Sequence, residues 1–351
     1  MKRITILILT MLTFSCGTKA QTITLIVLNK EAASVWLINP ETTDVLAKID
    51  VGDGPHEGAV SPNGKIAVVC NYGANRIGGN SLSVIDIEKH KLIKSIDITP
   101  YTWPHGITFL PDNLHVLVTS ESKGFLLKIN IETGKIEAEY NPGTDLHMVE
   151  LSPDGKFAFA TSIRHGKLSR VDLSSGEIDH IITGAGTEAL GVNPLKDEVW
   201  IGNNQENKVK VIDANSFEII DEIECGLQPI RLTFTVDGKY VLVSNILSGD
   251  LAVIDTEKKE IVRRIPLGGF VLREEDWKGK TDEELQPYIQ KIVNKGARPI
   301  GVIVGPDNRY AYVANRGLNH IAVIDLSSWK IVKRLPTGNG PDGMAFSRIN
   351  K

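Results

Sequence analysis

Cysteine is scarce, with three in 351 residues, too few for a disulfide-stapled scaffold or a paired-thiolate metal framework. HExxH, CxxCH and paired CxxC motifs are absent. That excludes the zincin, c-type haem and zinc-ribbon signatures. Long apolar runs are lacking as well: Ile4 to Phe14 is too short for a helix that crosses a bilayer, and no later run approaches the ~18 residues such a helix requires. Neither sign of charge dominates, with 39 basic and 43 acidic residues and a formal net charge of -4. A nucleic-acid backbone is therefore not expected as the main partner. The 32 glycines follow no three-residue period, and at 42% hydrophobic and 23% charged the chain is neither collagen-like nor disordered.

The first residues read as an address. Lys2 and Arg3 precede the apolar run, and small and polar residues follow it, the tripartite form of a secretory leader over residues 1–20. Leu12-Thr13-Phe14-Ser15-Cys16 resembles a bacterial lipobox, whose cysteine is lipidated and becomes the new N-terminus. A cut after Ala20 is the competing route, and it leaves Gln21 first. Both predict export, to the periplasm or to the outer membrane as a lipoprotein, with membrane attachment only through a lipid. Cys70 and Cys225 fall in separate parts of the repeat described next and are expected as buried free thiols.

A short β-type phrase recurs seven times, ending at Asn39, Asp86, Asn130, Asp172, Asp213, Asp255 and Asp325. The spacing is about 42 residues, except for a final interval of about 70. A period near 42 with alternating apolar runs and intervening turn residues predicts four-stranded propeller blades. The chain opens on a second-type strand and closes on a first-type strand, Gly343 to Ser347, so the two ends are expected to pair and close the ring. One all-β, seven-bladed propeller follows, spanning residues 21–351. An inserted segment near 269–297 carries the capping-box pattern Thr281-Asp282-Glu283-Glu284 and predicts a helix that Pro287 interrupts.

Tyr312 to Asn315 (YVAN), the IAVID ending at Asp325 and the following KIVKRLPTGNGPDGMAFS are similar to the YVTN-type β-propeller repeat. The resemblance runs from about Ile23 to Ile349. It implies an exported bacterial seven-bladed propeller and no particular reaction. Related propellers include lactonases, virginiamycin-type lyases and the copper domain of nitrous oxide reductase.

In such a ring, the loops entering each innermost strand deliver one residue per blade to the mouth of the central channel. Aligned by the proline before that strand, they read Asp342, His56, His105, His147, Glu188, Ile230 and Ile300. His56, His105 and His147 on adjacent blades suit a divalent transition metal, with Glu188 and Asp342 as ligand, partner or proton-transferring group. The plainer alternative is a repeat-consensus histidine that bonds a neighbouring loop. Arg76, Arg164, Arg231, Arg298 and Arg316 face the same mouth and suit a carboxylate or phosphate ligand. Tyr72, Glu121, His165, Asn203, Asn204, Asn245 and His320 join them there, mostly as solvated loop residues. His90, His115 and His180 fall on the other face or on outer strands.

Three functional readings follow. The foremost is an exported binding or scaffold protein that takes a small ligand, metal or protein partner at the axial face, with the insertion as a lid. A metal-dependent hydrolase or lyase of the lactonase type is the second. A copper or iron protein for redox chemistry or metal handling is the third.

Overall fold

Short runs of alternating apolar residues, each stopped by a tight turn, fold into antiparallel strands too short to be stable alone. Their burial comes from neighbouring sheets. The computed structural model describes residues 21–74 and 76–350, so residues 1–20, where a leader is expected, and the lipidation candidate Cys16 lie outside the described residues. Within them, seven four-stranded sheets form the blades of a β-propeller, as the repeat predicts. Blade 2 is typical, with strands Pro55–Val60, Ile66–Ala74, Ile77–Asp86 and Lys91–Asp97 in spatial order. The middle strands are covered on both faces, whereas the outer strand is mostly exposed, with Lys94 half-buried and Ile96 buried, as an edge facing water should be.

The two ends pair as the repeat requires. Gln21–Asn29 lies between Ser34–Ile38 and Pro341–Asn350 in blade 1, with register partners from Gln21 opposite Asn350 to Asn29 opposite Pro341. Closure removes the inner edges that an open array would expose.

Each third strand ends in Asp or Asn, whose side chain accepts hydrogen bonds from backbone N–H groups of the next turn. Asp325 Oδ1 takes Ser327 N at 3.0 Å and Ser328 N at 2.9 Å, and Asn39, Asn130, Asp172 and Asp213 do the same in their blades.

The core is a set of interfaces between blades. Val68, Cys70 and Leu82 of blade 2 pack with Val116, Val118 and Leu127 of blade 3, and Trp200 and Cys225 of blade 5 pack with Val241 and Val243 of blade 6. Both cysteines are buried free thiols in separate interfaces, as their repeat positions predict. Each fully buried aliphatic side chain here contributes roughly 1.5–3 kcal/mol.

The inserted segment departs from its sequence reading. A four-residue helix, α1 (Glu274–Trp277), comes first, and α2 (Asp282–Lys295) runs unbroken through Pro287. The capping box forms as predicted: Thr281 accepts from Glu284 N, and Glu284 accepts from Thr281 N. Proline removes one backbone donor, and burial of Leu285 and Ile292 against Leu227 and Leu272 holds the helix together across it. That cluster also takes in Leu247, so the insertion rests on loops of blades 5 and 6 on the face that carries the mouth. Among the described residues, no helix is long and apolar enough to cross a membrane.

Candidate functional site

The innermost strand of every blade begins with a register shift. In blade 2 it falls between Pro55 and Gly58, in blade 3 between Pro104 and Ile107, in blade 4 between Leu146 and Val149 and in blade 5 between Thr187 and Ala189. Blades 6 and 7 shift at Pro229/Arg231 and Pro299/Val302, and blade 1 shifts opposite Asp342. Each of the seven aligned residues therefore sits in a bulge, a device that bends a strand and re-aims its side chain. His147 and Glu188, whose loops lack the proline, occupy the same place as His56 and His105.

Two further features hold these bulges. Two residues ahead of each aligned position, the backbone takes the left-handed conformation, at Gly54, Gly186 and Gly340 but also at Trp103 (φ 55°), Asp145, Gln228 and Arg298 (φ 47°). For bulky residues this costs roughly 1–2 kcal/mol each. Hydroxyl groups of the preceding blade then grip the bulge carbonyls: Thr119 Oγ1 donates to His147 O at 2.7 Å, Thr161 Oγ1 to Glu188 O at 3.2 Å and Ser244 Oγ to Ile300 O at 2.6 Å.

The residues closing each second strand are not the solvated loop residues that Asn203 and Asn245 suggest in the sequence. Asn29, Asn71, Ser120, Ser162, Asn203, Asn245 and Asn315 are all buried. Asn203 Nδ2 donates to Thr183 O and Gly184 O, and Ser120 Oγ to Thr102 O, so these side chains clamp the loops that carry the mouth.

The structure brings His56, His105, His147, Glu188, Asp342, Arg231 and Arg316 together. Ring centroids lie 4.2 Å apart for His56 and His105 and 3.6 Å apart for His105 and His147. His56 Nδ1 is 3.1 Å from Asp342 Oδ1, and His147 Nε2 is 3.4 Å from Glu188 Oε1. Neither approach has the angle of a hydrogen bond, so His56 Nδ1, His147 Nε2 and both Asp342 oxygens are buried with unused capacity, as are Nδ1 of His105 and of His147. Glu188 accepts from Asn204 Nδ2 and, at 3.2 Å, from Arg231 Nη1. Arg231 Nε also donates to Glu57 Oε1 at 2.8 Å, which ties blade 6 to blade 2.

Burial makes His56 and His105 poor bases. It lowers His56 despite the Asp342 carboxylate beside it, and lowers His105 strongly, with His147, His56, Arg231 and Lys30 adding to the effect. Burial works to raise the Asp342 carboxyl, yet His56, Lys30 and Arg316 hold it well below the usual carboxylate range. Glu188 is held low against its burial by His147, Arg231 and Asn204. Arg231 stays protonated despite its burial, because Glu57, Glu188 and Asp342 surround it. At neutral pH the mouth thus combines neutral His56 and His105 with ionised Asp342 and Glu188.

Sequence reading missed Lys30, Glu57 and Trp103. Lys30 follows the buried Asn29 just as Tyr72, Glu121, Asn204 and Arg316 follow Asn71, Ser120, Asn203 and Asn315; the alignment passes over it because blade 1 opens mid-unit. Its ammonium lies 3.8 Å from Asp342 Oδ2 and 4.7 Å from the centre of the Tyr72 ring. Glu57 and Arg231 are the two charged residues directly after an aligned position, a signal present in the repeat itself. His56, Glu57 and Asp342 each offer a ligand atom, all within 4.8 Å of one another, the only such trio among the described residues. The His105 ring packs edge-on to Tyr72, whose hydroxyl donates to Glu121 Oε2 at 2.7 Å, and Tyr72 stacks on Trp103.

Other predicted site residues stand apart. Arg76 is exposed beyond the clamp Asn71, and Arg164 is 74% exposed at the rim, where it pairs with Asp145 together with His165. Arg298 is half-buried, with an unpaired Nε. His320 bonds Asn315, His180 bonds Ser169 and His115 bridges Asp112 and Glu137.

No protein-family model matches the chain. It is 25% identical over 242 residues to the uncharacterized protein YncE of Salmonella typhi, covering 66% of this chain and 68% of that one. With the hydrazine synthase subunit beta of Kuenenia stuttgartiensis it shares 23% over 272 residues, 63% of this chain and 54% of that subunit. Among solved structures, the dihydro-heme d1 dehydrogenase NirN in complex with DHE superposes over 92% of this chain and 74% of that one, with TM-score 0.65 at 15% identity. A functionally unknown protein from Desulfotomaculum acetoxidans covers 92% and 98%, with TM-score 0.72 at 12% identity. The chain is a β-propeller repeat protein. At these identities the structural matches speak for the fold, and the chemistry rests on the mouth.

Proposed function

We propose that this propeller is a binding protein whose axial mouth takes a divalent transition-metal ion, free or carried by a cofactor. Six buried polar atoms without hydrogen-bond partners, on His56, His105, His147 and Asp342, carry this reading. Four of them face charged partners in ion-pair contacts, Nδ1 of His105 and of His147 do not, and four of the six are nitrogens of the commonest metal-ligating side chain. Neutral imidazole and ionised carboxylate are also the protonation states that bind a metal. His56, Glu57 and Asp342 would supply the first bonds, at the ~2.0–2.2 Å of nitrogen and oxygen donors, with His105 and His147 beside them. The donor set suits zinc, copper, nickel or iron.

A metal carried by a cofactor finds support in the dihydro-heme d1 dehydrogenase NirN, a propeller solved in complex with DHE. The leader over residues 1–20 supports export, with Cys16 as the candidate lipid anchor. The insertion beside the mouth would act as lid or partner contact, and Glu188 and Asp342 would move protons should the bound ligand react.

Titration calorimetry with zinc, copper and nickel ions tests the reading. One ion is expected to bind stoichiometrically, and His56→Ala and Asp342→Asn should each weaken it at least tenfold. Binding of none, or equal binding by both variants, would overturn it.

A further inference from the structure

Lys30 and Arg316 converge on one oxygen of Asp342 without bonding it. Lys30 Nζ and Arg316 Nη1 both stop 3.8 Å from Oδ2, beyond hydrogen-bond reach. Arg316 is anchored from behind, with Nε and Nη2 on Glu31 Oε1 at 3.1 and 3.0 Å, which leaves Nη1 facing the mouth. The Lys30 ammonium has three donors and, among the described residues, meets the face of Tyr72 and Asp342. A bare divalent ion on His56, Glu57 and Asp342 would put two further positive charges beside these two. An anionic group lying between them removes the repulsion and uses the free donors of both.

We infer that Lys30 and Arg316 form an oxyanion seat next to the metal position, so that the natural ligand carries a carboxylate or phosphate group that binds together with the metal. The inference rests on the metal reading above and deepens it by naming the chemical class of the ligand. The seat alone is electrically balanced, with Lys30 and Arg316 against Asp342 and Glu31, and a divalent ion makes it attractive to an anion. Metal and oxyanion should therefore bind cooperatively, each raising the affinity of the other by the same factor.

The test is calorimetric titration of nickel into the full chain at constant ionic strength, in chloride, succinate or inorganic phosphate, with nickel binding by each anion in solution corrected for. The wild type should bind nickel at least tenfold more tightly in succinate or phosphate than in chloride, and the better of the two identifies the anion as carboxylate or phosphate. Lys30→Met should abolish the enhancement while raising affinity in chloride, because a like charge is gone, and Arg316→Gln should reduce the enhancement. Circular dichroism melts confirm that both variants fold. Nickel binding without anion dependence, or an enhancement that survives Lys30→Met, overturns the seat and leaves the metal reading standing. No nickel binding under any condition overturns both.

Discussion

Arg231 joins Glu57 across 174 residues of sequence, Nε to Oε1 at 2.8 Å, while its Nη1 holds Glu188 at 3.2 Å. One buried guanidinium thus ties blades 6, 5 and 2 together beside the imidazoles. Removing it takes the counter-charge from the half-buried Glu57 and leaves the buried Glu188 with only Asn204 and His147, the costly way to break a buried ion pair.

Arg231→Leu is accordingly expected to cost about 3–5 kcal/mol in urea unfolding, and Arg231→Leu with Glu57→Leu should recover part of that. A single-variant loss under about 1 kcal/mol would show that the tie contributes little.

Ring closure makes a second prediction. Deleting residues 343–351 strips blade 1 of its inner strand and exposes Leu25 and Val27, which are fully buried in the closed ring. A lower melting temperature, aggregation, or both should follow, read by scanning calorimetry and light scattering. An unchanged melt would count against closure as a source of stability.

Acid should destabilise the protein in two stages. His56 and His105 have lowered values when folded, so below the unfolded histidine value of about 6.5 the unfolded chain binds protons that the folded one refuses, and stability falls with pH. Asp342 and Glu188 are also lowered; their contribution is full above the unfolded carboxylate values near 4 and disappears as pH falls through the folded ones. His105→Phe should flatten the first stage, the fall in stability below about pH 6.5. An unaltered slope would show that His105 is not the buried neutral base described.

Glu150 acts in the opposite direction. On the inner strand three residues after His147, it has no hydrogen-bond partner among the described residues, and burial raises its carboxyl to about 7. The folded chain then holds a proton that the unfolded one has released, so stability declines as pH rises from about 4.3 through 7. Glu150→Gln should raise stability at pH 8 by about 2 kcal/mol and leave it nearly unchanged at pH 4. Equal effects at both values would assign the change to packing.

The repeat made the fold legible: blade count, closure, Asx turns, free thiols and capping box all follow from local patterns that tertiary structure reinforces. Alignment also found the seven mouth positions, because one bulge recurs in every blade. Contacts across the ring left less trace. Nothing near Glu57 in the sequence announces Arg231, and Lys30 escaped because its unit is split between the two ends. The continuous helix through Pro287 was misread because Leu285 and Ile292 find their apolar partners in loops far along the chain. Arg76 and Arg164 have the right loop positions but extend to the rim, since position in a loop does not fix the direction of a long side chain.

A metal held at the mouth should be visible by anomalous diffraction, on crystals of the protein grown with zinc or nickel and measured at the absorption edge. A single peak bonded to His56 and Asp342 at about 2.0–2.2 Å is expected. A mouth with no peak, or a peak confined to surface histidines such as His115, would rule the metal out.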